Sequence, residues 1–238
     1  AHAVGPALPG RQDMADRFAF SPETLIKAYS LGVFPMAESA DSWDIRFYDP
    51  EVRALIPLAW REGARHEFHL PRRLARTVRQ RRFAVTFNRD FASVIDECAA
   101  LKNGRQDTWI NRDIRQLYVA LHRLGFAHSV EIWREEQLVG GLYGVALRSA
   151  FFGESMFSRR TDASKIALVH LVARLRAGGF RLLDAQFTND HLQQFGIFEV
   201  TREQFQQRLQ LALATSADLL IGESSDGHVA RMLDEGAG

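Results

Sequence analysis

Hydrophobic and polar residues alternate along the segment 181–187, as on a strand whose two faces meet different surroundings. One face is apolar and the other carries an acid and an amide: Leu183, Ala185 and Phe187 against Leu182, Asp184 and Gln186. The solvated side of an edge strand would produce the same alternation. However, polar residues also crowd the segments 153–159, 162–165 and 188–191, where a core would need apolar side chains. The alternation therefore predicts a core on the apolar face and a functional site on the other.

Periodicity along the rest of the chain predicts a series of helices and strands. Helices are predicted at 22–29, 71–82, 89–101, 112–124, 162–178, 189–196 and after 201. Strands are predicted at 83–87, 127–134, 138–147, 149–154 and 181–187. The helix starts have capping residues, namely Ser21, Asn88, Asn111, Asp162 and the capping box 201–204.

Antiparallel strands joined by the turn at 134–137 and flanked by helices indicate an α+β fold. The first quarter of the chain is predicted to be one helix followed by loops and short strands, whereas regular elements then follow one another closely. We therefore predict a small N-terminal α+β domain over 1–65 and a larger domain over 66–238. Residues 1–12 are predicted to be mobile and 226–238 to form a loose tail.

The composition is that of a globular protein. The chain has 238 residues, of which 46% are hydrophobic and 25% charged, enough for a sizeable core. Its single cysteine, Cys98, cannot form an internal disulfide, and no apolar run approaches the roughly 20 residues of a membrane span. The first residues lack the basic and then apolar pattern of a signal peptide. We therefore expect a cytoplasmic protein.

A net charge of +1 does not indicate a nucleic-acid-binding protein, but positive charge is concentrated on one predicted helix. Leu74 and Val78 form an apolar stripe there. Six arginines surround the stripe: Arg72, Arg73, Arg76, Arg79, Arg81 and Arg82. A solvated helix face is the alternative, yet such a face usually mixes acids with bases, and this segment has no acid. The cluster therefore predicts contact with nucleic-acid phosphates.

Several other chemistries lack their sequence signals. The eight His and the one Cys show no zinc-type spacing, so no metal site is predicted. Cys98 lies at helical spacing among apolar residues, which favours a buried thiol over a nucleophile. No Gly-x-Ser-x-Gly elbow or Walker loop occurs. The passage 158–163 contains no glycine, whereas an acyl-CoA enzyme would need a Gly-rich pyrophosphate loop there.

Five segments in order along the chain share one resemblance: 28–35, 107–110, 128–133, 140–145 and 153–159. With them the chain resembles the leucyl/phenylalanyl-tRNA–protein transferases, bacterial enzymes that add Leu or Phe from aminoacyl-tRNA to the N-terminus of a protein. The likeness covers most of the chain and ends near Glu203. It implies a GNAT-like mixed-sheet catalytic domain behind a small N-terminal α+β domain. It also implies acceptor proteins that begin with Arg or Lys, Met as a third donor candidate, and no cofactor, because the ester is already activated.

The resemblance assigns catalytic roles to Asp184, Gln186 and Glu154. The amide oxygen of Gln186 would accept a hydrogen bond from the attacking amine, while Asp184 fixes the amide and raises its basicity. Glu154 would hold the acceptor's α-ammonium group or its basic first side chain, and a salt bridge to Arg159 is the alternative. Asn189 would bind peptide backbone or simply cap a helix.

The donor side chain and the tRNA end also have matching positions. Candidates for the apolar pocket are Leu142, Phe151, Met156, Leu168 and Leu183, and each could equally be plain core. Met156 is the most suggestive because it lies in a polar run and its thioether adapts to branched and aromatic guests. Trp109 and Tyr118 would stack on, or hydrogen-bond to, the 3′ adenosine.

One segment departs from the family pattern. Family members carry Trp-Trp-Ser-Pro-Asp-Pro-Arg where this chain has 47–53, but Phe47 and Tyr48 keep aromatic character at both tryptophan positions and Arg53 is retained. We therefore expect these aromatic rings to form a stacking surface for the 3′ adenosine. The arginine cluster is expected to contact the tRNA. The alternatives are an N-acetyltransferase that uses acetyl-CoA, a non-catalytic tRNA-binding module, and a transferase whose acceptor is a cell-wall amine.

Overall fold

The computed structural model describes residues 21–37, 45–59, 66–100 and 108–235. The arm predicted at 1–12 lies outside these residues. In chain order the elements are α1 (Pro22–Ser30), β1 (Phe34–Ala37), β2 (Ile45–Tyr48), β3 (Val52–Leu55), α2 (Arg72–Arg79), β4 (Ala84–Phe87), α3 (Phe91–Ala99), α4 (Arg112–Arg123), β5 (Ala127–Arg134), β6 (Gln137–Leu147), β7 (Ala150–Ser158), α5 (Ala163–Ala177), β8 (Leu182–Gln186), α6 (Asp190–Gln193), β9 (Phe198–Thr201), α7 (Arg202–Leu213) and α8 (Ser225–Glu235).

Seven strands form one mixed sheet in the order β4-β5-β6-β7-β8-β3-β9. β7 and β8 pair in parallel through the crossover helix α5, and the other neighbours pair antiparallel. β1 and β2 form a separate antiparallel pair. These elements confirm the α+β class.

Helices cover both faces of the large sheet, with a hydrophobic core on each. The α5 core lies where α5 packs on β5, β6 and β7 and α8 packs on α5. The α4 core lies on the other face, beneath α1, α3, α4 and α7. Twelve of the fifteen residues of α5 are buried, because the sheet covers one side of the helix and α8 covers another.

β3 enters the large sheet from the N-terminal part of the chain. It lies between β8 and β9, where Ala54 pairs with Gln186 on one side and Glu199 on the other. The division predicted between residues 65 and 66 therefore does not separate the N-terminal elements from the sheet. Residues on both sides of this division build the same core.

Most predicted helix starts are confirmed by their capping hydrogen bonds. The side chains of Ser21 and Asn111 accept the backbone N–H groups of Thr24 and Ile114 at 3.2 and 2.8 Å. The reciprocal capping box at 201–204 is also present. Local polar signals thus define these helix starts correctly.

One predicted cap is wrong, and a second lacks its capping hydrogen bond. The cap of α3 is Asp90, not Asn88; Asn88 has φ 58° and its side chain accepts the N–H of Ser129 at 3.1 Å. Asp162 occupies the N-cap position of α5 as predicted, but it has φ 65° and its side chain makes no capping bond. Its Oδ1 lies 3.0 Å from Arg73 and 3.4 Å from Lys165, so nearby cations hold this carboxylate.

The loose tail predicted at 226–238 is wrong as far as residue 235. The segment forms α8, in which Val229, Met232 and Leu233 recur at helical spacing and are buried. The strand β9 was not predicted. It has four residues, of which only Val200 is buried, so the alternation of apolar and polar residues is too short to be recognised. Among the described residues, none of the helices is long and apolar enough to cross a bilayer.

Candidate active site

The strand β8 carries the predicted site between β7 and β3. Leu183 belongs to the α5 core and Leu182 to the α4 core, which confirms the alternation at these positions. Phe187 was predicted beside Leu183, and this is wrong. Because Gln186 has φ 65° and ends the strand, Phe187 turns toward the other face and packs edge-on against Phe34 at 5.8 Å.

Asp184 is completely buried and is paired with an arginine from β3. The Nε atom of Arg53 donates to both carboxylate oxygens at 3.0 Å, and its Nη2 donates to Oδ2 at 2.7 Å. The side chains are 1% and 0% exposed. Such a pair is stable in a dry interior only when hydrogen bonds satisfy both groups, as they do here.

Gln186 is held at two points by two different carboxylates. Its backbone N–H donates to Oδ1 of Asp184 at 2.8 Å, and its side-chain Nε2 donates to Oε1 of Glu154 at 3.1 Å. The predicted contact between Asp184 and the side-chain amide is therefore replaced by a contact with the backbone. With the amide nitrogen used by Glu154, the amide oxygen has no hydrogen-bond partner among the described residues.

Glu154 ends a chain of buried hydroxyl groups. Tyr29 donates its hydroxyl hydrogen to Oε1 of Glu154 at 2.5 Å, so Tyr118, whose oxygen also lies 2.5 Å from that of Tyr29, is the donor in the second bond. The alternative salt bridge to Arg159 is wrong, because Arg159 donates to Glu97 at 2.8 Å instead.

Burial dominates the electrostatics of this site. It raises the pKa of Glu154 from 4.5 to about 8, against the hydrogen bonds from Tyr29 and Gln186 and with the help of the negative charge of Asp184. Although Glu154 as a residue is partly exposed, its Oε2 is sealed from solvent and has no hydrogen-bond partner in the described part of the chain. Burial also raises the pKa of the Tyr29 and Tyr118 hydroxyls well above 10, so both stay neutral donors.

The pocket candidates lie together in or against the α5 core. Leu142 pairs with Met156 across β6 and β7, and Phe151 pairs with Leu183 across β7 and β8. Leu168 faces them from α5. Met156 is the least buried of the five, and it is the nearest in sequence to Glu154. The five side chains thus belong to one apolar wall in the α5 core, and Met156 lies two residues from Glu154 along β7.

The aromatic candidates divide by exposure. Tyr118 is fully buried, with the half-buried Trp109 edge-on to it at 6.4 Å, so its ring is not available for stacking, and its hydroxyl is already bonded to that of Tyr29. Phe47 is 40% exposed. Tyr48 stacks on Phe34 at 6.3 Å. Phe34, Tyr48 and Phe187 thus form one aromatic cluster next to Gln186.

The arginine cluster is exposed at all six positions, but four arginines lie on α2 and two on the turn that follows. The helix ends at Arg79, and Arg81 has φ 46°. Arg73 is paired with Asp162 at 3.0 Å, and Arg79 donates to the carbonyl of Leu233 at 3.4 Å. Arg72, Arg76, Arg81 and Arg82 are therefore the members best placed for phosphate contact.

Three further residues remain to be compared with the sequence predictions. Asn189 caps the short helix α6 by accepting the N–H of Leu192 at 2.9 Å, which supports its capping alternative. Tyr29 and Arg53 were not predicted as site residues. Both lie in segments that the family resemblance had already marked, but their partners are 125 and 131 residues away and leave no local signal.

Comparisons with known proteins indicate one family. A family model described as leucyl/phenylalanyl-tRNA protein transferase matches residues 64–210, and the model of that family's N-terminal domain matches 18–51. The chain is 56% identical over 193 residues to a leucyl/phenylalanyl-tRNA–protein transferase of Rhodopseudomonas palustris (strain HaA2), covering 81% of this chain and 83% of that protein. The protein of the same name from Phenylobacterium zucineum is 56% identical over 199 residues, with 84% and 87% covered. The one from Caulobacter vibrioides (strain NA1000 / CB15N) is 52% identical over 200 residues, with 84% and 89% covered.

Proposed function

The chain belongs to the leucyl/phenylalanyl-tRNA–protein transferase family, and from that premise we propose that it moves Leu or Phe from aminoacyl-tRNA to the N-terminal α-amine of proteins that begin with Arg or Lys. The observation that carries this proposal is Gln186, held by Asp184 through its backbone and by Glu154 through its side chain, with its amide oxygen unused. Transfer would give the acceptor a destabilising N-terminus that marks it for degradation in the cytoplasm.

The reaction needs positioning more than strong acid or base groups. The amine nitrogen forms a bond to the ester carbonyl carbon, the bond from that carbon to the tRNA 3′ oxygen breaks, and one proton passes from the amine to the departing oxygen. An N-terminal amine has a pKa of roughly 7.7–8.0, so a useful fraction is already a neutral nucleophile. Effective molarities of about 10⁵ M or more make correct placement the largest available contribution.

Gln186 would place the amine. Its free amide oxygen accepts an N–H hydrogen of the acceptor and aims the nitrogen lone pair at the ester carbon. The two carboxylates keep the amide from rotating, because one holds the backbone of Gln186 and the other its nitrogen. This arrangement assigns Asp184 and Glu154 to orientation and leaves the contact with the amine to Gln186.

Glu154 would also favour a cationic acceptor. Its raised pKa means that the carboxyl is mostly protonated near pH 7 in the empty site. A positive charge that enters nearby favours the ionised form, so binding of the acceptor's ammonium or guanidinium group would release the proton. The negative charge of Glu154 would then lie near the bound cation, which supports a preference for Arg and Lys.

The donor would bind along the apolar wall and the aromatic residues. The wall of Leu142, Phe151, Met156, Leu168 and Leu183 offers no polar partner, which suits a Leu or Phe side chain and tolerates Met. Phe47, Tyr48 and Trp109 supply ring faces or edges for the 3′ adenosine, and the arginines of α2 supply contacts to tRNA phosphates.

Acetyl-CoA chemistry is disfavoured at the start of α5. The side chain of Ser158 already accepts the N–H of Ser164 at 3.2 Å, so this donor is not available to a pyrophosphate. The buried carboxylate of Asp162 lies at the same helix end and would repel an anion. Both observations argue against the N-acetyltransferase alternative.

The direct test is transfer of radiolabelled Leu or Phe from charged tRNA to peptides that differ only in their first residue, without ATP or CoA. We expect labelled product with N-terminal Arg and Lys and little with N-terminal Ala or Glu. A muropeptide and acetyl-CoA serve as the rival acceptor and donor. No label on any peptide, or label only on the muropeptide, would contradict the proposal.

A further inference from the structure

We infer that Arg53 is a positioning residue of the transfer reaction: through Asp184 it fixes the backbone of Gln186 and so aims the Gln186 amide oxygen. This inference rests on the proposed function. Arg53 lies between the two ranges that the family models match, 18–51 and 64–210. The role follows from contacts of the described residues alone.

Asp184 has no capacity left for a substrate. One of its oxygens, Oδ1, accepts from Nε of Arg53 at 3.0 Å and from the backbone of Gln186 at 2.8 Å. The other, Oδ2, accepts from Nε at 3.0 Å and from Nη2 at 2.7 Å. The carboxylate is 0% exposed. Asp184 can therefore influence the reaction only through the groups that it holds.

The group that it holds toward the site is strained. Gln186 has φ 65°, a left-handed conformation that side chains other than Gly, Asn and Asp rarely adopt. Such a residue persists when neighbouring contacts over-determine it, and the bond from its N–H to Asp184 is such a contact. The backbone conformation sets the direction of the side chain, so the carboxylate also sets where the amide points.

Arg53 in turn fixes the carboxylate in the plane of its guanidinium group. The guanidinium lies between the rings of Phe34 and Phe205, at 4.7 and 4.3 Å from their centres. Its Nη1 donates to the carbonyl of Gly32 at 2.7 Å, in the turn after the helix that carries Tyr29. A lysine would keep the charge but could not make these planar contacts together.

The test is a double-mutant cycle with Arg53→Lys, Gln186→Ala and the double variant, measured as single-turnover transfer and as kcat and KM. Arg53→Lys should lower the turnover of bound substrate by about 10-fold or more with little change in KM. In the Gln186→Ala background the same change should cost less than about 2-fold, because the amide that Arg53 aims is gone. An equal loss in both backgrounds, or normal turnover of Arg53→Lys, would overturn the inference.

Arg174→Lys is the matched control. Arg174 is also 1% exposed, lies over the ring of Phe87 at 3.8 Å and donates to the carbonyl of Glu223 at 2.6 Å, in contact with the α5 core. This variant should lower the melting temperature with turnover unchanged. If Arg174→Lys loses as much turnover as Arg53→Lys, the loss in Arg53→Lys is explained by general destabilisation, and the inference fails.

Asp184→Asn provides a second route if Arg53→Lys does not fold. It interrupts the same contacts from the other side and should show the same dependence on Gln186; equal losses in both backgrounds would refute the inference. The wild-type protein separates the two levels of the argument. Absence of transfer by wild type refutes the proposed function, whereas normal wild-type transfer with additive variant effects refutes only the role of Arg53.

Discussion

Replacing Glu154 by Gln should make the protein more stable at high pH, and the size of the effect follows from the buried carboxyl. Burial raises its pKa from 4.5 to about 8. The folded state therefore binds the proton more tightly than the unfolded state, so this contribution to stability is full below pH 4.5 and is lost as pH rises to 8. At about 1.4 kcal/mol for each pH unit, the loss is about 5 kcal/mol.

The assay is thermal unfolding of wild type and Glu154→Gln from pH 5 to pH 9. Gln keeps the shape of the side chain and an oxygen that accepts from Tyr29, but it has no charge to bury. The two melting curves should nearly coincide at pH 5 and separate as pH rises. Since 1 kcal/mol corresponds to roughly 2–4 °C for a chain of this size, the separation at pH 8 should be on the order of 10 °C.

Glu135→Gln is the control for removal of one negative charge, because the Glu135 side chain is 86% exposed on the β5–β6 turn. It should follow wild type at every pH. If the curves for wild type and Glu154→Gln instead run parallel from pH 5 to pH 8, ionisation of Glu154 does not lower the stability of the folded protein. The assignment of a raised pKa then fails.

Four further variants test the site, the tRNA surface and the acid limit of stability. Gln186→Ala should lower transfer by about 10²-fold with a nearly normal melting temperature, whereas Leu183→Asp should unfold the protein because it buries an unpaired charge; normal turnover of Gln186→Ala would remove it from the site. Arg76→Glu with Arg72→Glu should weaken tRNA binding and flatten its dependence on salt, and an unchanged slope in filter binding would return these residues to a solvated face. Burial lowers the pKa of His170 from 6.5 to about 4, so the contribution of His170 to stability, which is full above pH 6.5, should fall by about 3 kcal/mol as pH drops to 4. His170→Gln should lack this part of the pH dependence in the same unfolding titration.

Helix starts were predictable because their signals are local. Ser21, Asn111 and the capping box at 201–204 each contact a backbone N–H within three residues, so the sequence contains both partners side by side. The same reasoning failed at Asn88, whose amide is used by a residue on a neighbouring strand. Asn88 is a residue type that often caps helices, but the capping rule does not take account of a competing tertiary contact.

The alternation on β8 predicted the site strand but not its electrostatics. It placed Asp184 opposite Leu183 correctly, yet it treated the Asp184 face as accessible to substrate, whereas the carboxylate is fully buried against Arg53. That pairing depends on β3, which joins the sheet from 131 residues away, and no local pattern contains it. Removal of one partner from a buried pair is strongly destabilising, so variants of Asp184 report stability as well as turnover, and Gln186→Ala is the cleaner probe of the site.

Because β3 lies inside the large sheet, the site cannot be assigned to the C-terminal part of the chain alone. Tyr29 and Arg53 precede residue 65, and they hold Glu154 and Asp184, which follow it. A fragment that began at residue 66 would lose the strand between β8 and β9, the hydroxyl that donates to Glu154 and the only side chain that neutralises Asp184 among the described residues. Its buried carboxylates would then face water or each other, and the left-handed Gln186 would lose the order that those contacts impose. The geometry of the candidate site therefore depends on both parts of the described chain, because residues from the N-terminal elements hold its two carboxyl groups.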